Sequence, residues 1–227
     1  MPARAVGERY HLWALAVWTF SKTTLTNPND KLIALSGIAK RFACLLNDRY
    51  LVGLWRKNLE HQLVWTTVAS TETGLVARPP IYRAPTWSWA SIDRPVDLAE
   101  ARYHQEILIR VKTVHITYAT DDTTASQPDV RVLLDVPQKE RNAFASDNSA
   151  HRLFYMPAAI SSQESHRLAI LIFRCLDKTM GLFERIGIGE SEEEKDKELL
   201  LTDMSERIRT LMPSVRYEDG MQIIRII

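Results

Sequence analysis

Few residues in this chain stand where chemistry needs them. The six histidines, at positions 11, 61, 104, 115, 151 and 166, show neither HExxH nor any other paired-ligand spacing. That pattern argues against a helix-borne zinc site. His115, between Val114 and Ile116, is expected on the solvated face of a strand. Cys44 and Cys175 each sit in an apolar run, and no CxxC exists. Buried free thiols in a reducing compartment are expected, and a structural zinc would lack its sulfur ligands. No serine lies in GxSxG, so the nucleophile elbow is missing. Gly187-Ile188-Gly189 lacks the remainder of a dinucleotide fingerprint or P-loop. Neither a catalytic residue, a cofactor nor a metal is expected.

Four other groups could bind a ligand, and each has a simpler structural account. Trp87-Ser88-Trp89 could stack a ligand, yet alternating tryptophans also anchor a connector onto a helical layer. In an extended segment, residues two apart point the same way. Trp87 and Trp89 would then press inward while Ser88 faces away. Trp55 and Trp65 are ten residues apart, close to three helical turns, and read as core. Asp30-Lys31 offers an acid and a cation, but a helix start explains Asp30, and Lys31 is expected in solvent. Arg56 and Arg83 could hold a phosphate; ion pairs with carboxylates such as Asp93 are expected instead.

The elements that carry these residues follow from the spacing. Tyr10, Trp13, Val17 and Phe20 fall on one helical face. Asn27 suits an N-cap and Pro28 a first helical position, ahead of Leu32, Leu35, Ala39, Phe42 and Leu46. Leu51, Trp55, Leu59 and Leu63, four apart, predict a third helix over about residues 49–65. Gly74, Pro79, Pro80 and Pro85 mark a connector. From about residue 104 the period is two, with strands near 107–118, 130–136, 153–156, 168–176, 180–188 and 222–227. A phase slip between Val111 and Val114 suggests a β-bulge. The continuous apolar run Leu168–Phe173 suits a strand covered on both faces. Glu192, Glu193 and Glu194 open a solvated acidic helix near 190–212, striped by Leu201, Met204, Ile208 and Leu211.

The fold class expected is α+β: an N-terminal helical layer packed on a mainly antiparallel sheet, with a C-terminal helix. The regions are 1–66, helical; 67–103, a connector; and 104–227, mainly β, forming one compact unit. Lys plus Arg number 29 against 28 Asp plus Glu. With no global field, neither nucleic acid nor an anionic membrane is an expected partner. Arg4 and Arg9 precede the apolar run Leu12–Phe20, as in a secretory signal, but no small-residue cleavage site follows. A cytoplasmic helix is expected.

Three segments then gain meaning together. Leu25-Thr26 precedes Asp30-Lys31-Leu32-Ile33-Ala34-Leu35-Ser36-Gly37-Ile38-Ala39. Tyr50-Leu51-Val52-Gly53-Leu54-Trp55-Arg56 precedes Leu63-Val64-Trp65. Tyr82-Arg83-Ala84-Pro85-Thr86-Trp87-Ser88-Trp89-Ala90-Ser91 closes the set. In this order they resemble the region following the core of fungal heterokaryon-incompatibility (HET) domain proteins. The likeness covers most of the chain; Gly181–Gly189 is similar to the family's closing strand. Its motif residues here are Asp30, Lys31, Leu35, Gly37, Gly53, Leu54, Trp55, Arg56, Trp65, Pro85, Trp87, Ser88 and Trp89, all expected to be structural.

The resemblance implies a role in fungal vegetative incompatibility, meaning self/non-self recognition and cell death after fusion of unlike hyphae. Other incompatibility proteins are the implied partners. The family's eponymous domain, similar in fold to TIR domains, lies N-terminal to these motifs, and nothing here matches its WID…CIDQ-like stretch. A truncated gene product or incomplete gene model is therefore expected, without enzymatic activity. Residual TIR-like NAD hydrolysis and a fragment without function are the alternatives.

Overall fold

The computed structural model describes residues 3–68, 79, 81–98, 105–117, 129–137, 153–161, 167–177, 179–191, 216–218 and 221–227. Helices come first and strands later, so the class is α+β. The chain is not the one compact unit expected from its sequence. Its contacts divide it into two: Met1–Tyr103 with Ile116–Val130, and His104–His115 with Arg131–Ile227.

The first unit opens with α1 (Ala3–Ser21). Asn27 then caps a 3-10 turn, Pro28–Asp30, accepting from the Asn29 amide, and the turn runs directly into α2 (Lys31–Leu46). The helices are antiparallel neighbours. Arg9 donates to the Leu45 carbonyl, and Tyr10 donates to Asp48 at 2.8 Å. At the other end, Phe20 of α1 packs edge-on to Trp89, and the Lys31 ammonium lies 5.7 Å from the same ring. Asn47, left-handed at φ 47°, ends α2 by donating back to Ala43 and Cys44.

The helix expected over 49–65 is replaced by a tight hairpin. β1 (Tyr50–Leu51) pairs with β2 (Leu54–Trp55), and Val52 and Gly53 between them take φ 49° and 95°. Two successive positive φ angles define the hairpin turn whose twist matches its strands. Only a 3-10 turn, Arg56–Asn58, and the four-residue α3 (Leu59–Gln62) are helical. The four-residue spacing did report burial, since Leu51, Trp55, Leu59 and Leu63 are all in the core. It did not report the element. β3 (Thr66–Thr67) pairs with β4 (Val96–Asp97), and the Val96 amide donates to Ser21 of α1.

The second unit is built on an eight-stranded sheet. Its strands are β5 (Gln105–Ile107), β6 (Arg110–Thr117), β7 (Asp129–Pro137), β8 (Leu153–Ser161), β9 (Leu168–Asp177), β10 (Leu182–Ser191), β11 (Arg216–Glu218) and β12 (Met221–Ile226). The order is β5-β8-β9-β10-β12-β7-β6, with β11 also paired to β12. The β10–β12 pair is parallel, and the other registered pairs are antiparallel. Leu168–Leu171 and Phe173 are buried, as the unbroken apolar run requires. Phe183 of β10 meets Phe154 and Phe173 edge-on at 5.4 and 6.4 Å. The strand predicted through 107–111 breaks at Leu108–Ile109, where the Leu108 amide donates to Ala158 of β8. Register shifts occur in β8 at Pro157/Ala159 and in β10 at Arg185/Gly187. Of the helix expected near 190–212, residues 190 and 191 end β10, and 192–212 lie outside the described residues.

Candidate functional site

The second and third motif segments meet at one carbonyl, joined there by Trp13 of α1. The positive φ of Gly53 turns its C=O into the first unit's core, where it accepts the indole N–H groups of Trp13 at 3.1 Å and Trp89 at 2.9 Å. The neighbouring Val52 carbonyl accepts the Ser88 hydroxyl at 2.6 Å. Trp65 donates to the Trp87 carbonyl at 2.7 Å, and Gln62 caps the Trp55 amide at 2.8 Å. Trp13 also packs edge-on against Phe42, Tyr50 and Trp55, with centroids 5.2–5.8 Å apart. This aromatic cluster adds specific geometry to its apolar burial.

Ser88 does not face away. It is fully buried, because its hydroxyl also caps a 3-10 turn, Trp89–Ser91, by accepting from the Ala90 amide. The segment is not extended: a turn at Thr86–Trp87, closed by the Ser88 amide donating to the Pro85 carbonyl at 2.9 Å, precedes the 3-10 turn, which removes the premise for an outward Ser88. Both tryptophans are fully buried, as expected.

Beside this node lies a charge cluster. Arg83 is 2% exposed and donates to the carbonyls of Ala90 (2.7 Å) and Pro28 (2.8 Å) and to Asp93 (2.6 Å). Both arginines pair with carboxylates, as expected: Arg83 with Asp93, and Arg56 with Glu60 at 3.9 Å. Lys31 is not in solvent. It is 6% exposed, donates to the Ile92 carbonyl, and lies 3.5 Å from Asp93. The reason is positional: α2 starts against the turn at 89–93, so its first side chain points into the core. Asp30 is exposed and accepts from Asn27 at 3.2 Å. Leu35 and Leu54 are core, Pro85 is buried, and Gly37 is exposed.

Burial pushes the Lys31 ammonium down to about 8; Arg83 adds to the fall and Asp93 opposes it. Between pH 8 and 10.5 the unfolded chain holds this proton and the folded chain does not, so stability rises with pH across that window. The full rise is about 3 kcal/mol, from 1.36 kcal/mol per unit of pKa difference. Chemical denaturation at pH 7.5 and 10 should show the increase, and Lys31→Met should remove it. Equal pH dependence in both proteins would mean that Lys31 is not buried charged.

Cys44 is exposed on the outer side of α2 and Cys175 is half-buried, so neither is the fully buried thiol expected. Among the described residues, no group of three or more His, Cys, Asp or Glu could hold a metal ion. Gln62 and Trp13 are the members of the node that motif reading missed. Trp13 was legible only as a helix-face residue, and nothing around Gln62 distinguishes it from a solvated glutamine. Compared with models of protein families, with curated proteins and with solved structures, the chain matches none.

Proposed function

We propose that the chain is a non-catalytic region of a HET-type incompatibility protein, acting in self/non-self recognition and cell death in fungi. The supporting observation is the convergence of the three motif segments on Gly53, Ser88, Trp65, Lys31 and Arg83. Segments separated by tens of residues need one another's carbonyls, which gives their shared order a physical reason. The polar groups of Ser88, Trp65, Trp89, Lys31 and Arg83 are committed to main-chain carbonyls, the behaviour of a folding node rather than of groups held ready for a substrate. Cytoplasmic placement and other incompatibility proteins as partners belong to the same proposal. No described helix is long and apolar enough to cross a membrane.

The test is incubation of the purified chain with NAD at high protein concentration. The expected result is no turnover above the protein-free control. Turnover abolished by a single carboxylate substitution would overturn the proposal in favour of a TIR-like hydrolase.

A further inference from the structure

We propose that residues 105–117 act as a strap that closes the second unit's sheet into a barrel and opens it by releasing β8.

Closure follows from the strand order. β5 and β6 stand at opposite ends of that order, yet only Leu108 and Ile109 separate them in the chain. In a flat sheet the two strands would lie about 29 Å apart, six spacings of about 4.8 Å. The chain from Ile107 to Arg110 spans at most about 11 Å. The sheet therefore curls until its ends meet. Residues 105–117 form one kinked stave that pairs with β8 through its first part and with β7 through its second. The enclosed face carries Phe154, Phe173 and Phe183, with Ile224 and Ile226 of β12 on the same side of the sheet. All five are buried, whereas Arg174 and Leu176 on the opposite face of β9 are exposed. Six staves make a narrow barrel that side chains fill, so the enclosed face is a core rather than a ligand cavity.

The strap is fastened unevenly. β5 ends the strand order, so β8 is its one ladder partner among the described strands. That ladder covers Gln105, Glu106 and Ile107, and the Leu108 amide extends it to the Ala158 carbonyl. Pro157, which has no N–H to offer, stands where the pairing ends. The Leu108 side chain packs with Leu168, Ile170 and Ile160. By contrast, β9 pairs with β8 from Leu153 to Ile160 and with β10 from Leu182 to Ser191. The parallel β10–β12 seam is short as well, but β7 holds β12 along Met221–Ile226, so β12 cannot leave alone. Opening is easiest where a segment has a short ladder and few buried contacts, so β5 is the stave that leaves first. Its departure uncovers the phenylalanine face from the β8 side.

Hydrogen exchange of the full native chain, read by mass spectrometry, measures the release. Residues 105–108 should exchange at least about tenfold faster than Leu168–Phe173. Ile107 and Ala159 are register partners, and the Leu108–Ala158 hydrogen bond makes them a non-hydrogen-bonded pair, the kind whose side chains lie closest. Ile107→Cys combined with Ala159→Cys should therefore form a disulfide, located by peptide mapping. Oxidation should slow exchange at 105–108 at least about tenfold relative to the reduced form of the same variant, and much more than it slows Leu168–Phe173. Equal exchange of 105–108 and Leu168–Phe173 in the parent protein overturns the proposal without recourse to any variant. So does a folded cysteine pair that fails to cross-link, or a cross-link that slows the whole sheet to the same degree.

Discussion

Gly53→Ala should unfold the first unit or leave it barely folded. At φ 95° an L-residue is strained, and a Cβ built there lies 2.5 Å from the Trp89 indole nitrogen and 2.9 Å from its Cε2. The left-handed conformation costs about 1–3 kcal/mol, and forcing extra atoms into a packed core typically costs about 1–3 more. Trp89 has little room to yield, because its ring is fully buried, flanked by Phe20, and bonded through Nε1 to the Gly53 carbonyl. Any movement that relieves the clash stretches that bond. The combined loss, about 2–6 kcal/mol, is comparable with the whole stability of a small domain. Thermal melts followed by tryptophan fluorescence measure it. A variant melting within a degree or two of the parent would mean that the hairpin can rotate Gly53 out of this geometry. Val52 provides the internal comparison. It already holds φ 49° with a side chain, so Val52→Gly relieves strain at the cost of a buried apolar group, and its effect should be far smaller.

The same corner shows what the sequence made legible. Periodicity placed Leu51, Trp55, Leu59 and Leu63 in the core correctly, because burial is a property of spacing that any compact element can express. It misassigned the element because an i, i+4 pattern is shared by a helix and by a hairpin followed by a short turn. Part of the local cue was present: Asn47 before the segment and Gly53 inside it are residues that turn left-handed readily, whereas Val52, β-branched, rarely takes the φ of 49° it holds here. In the second half alternation, or the unbroken apolar run Leu168–Phe173, marked each strand, and strands lie in each of the six ranges expected. Charge was the least legible. Lys31 resembles any solvated residue at a helix start. Only the arrival of residues 89–93 against that start removes it from water, a contact spanning 61 residues that no local window contains. Arg83 was readable as an ion-pair partner of Asp93, yet the donation to Pro28 that fastens it to α2's entry was not.

Trp87→Ala and Trp89→Ala should each lower the thermal midpoint by at least about 10 °C, since truncating a fully buried tryptophan costs about 3–5 kcal/mol and each kilocalorie is worth several degrees in a domain of this size. Both rings are wholly inaccessible to solvent, so the volume removed cannot be replaced by water without exposing apolar walls. Trp89 carries an added loss, its hydrogen bond to Gly53, although Trp13 still satisfies that carbonyl. Ser88→Ala should also destabilise, contrary to what an outward serine would give. It leaves the buried Val52 carbonyl without its 2.6 Å donor and removes the cap on the Ala90 amide, a loss of about 1–3 kcal/mol. The order of effects therefore separates a folding node from a recognition surface. A node loses stability at all three positions, with the serine smallest. Tryptophans held out for a ligand would leave all three midpoints close to the parent and weaken only binding. Unchanged midpoints in both tryptophan variants would move the Trp-Ser-Trp segment from the core of the fold to the surface that meets a partner.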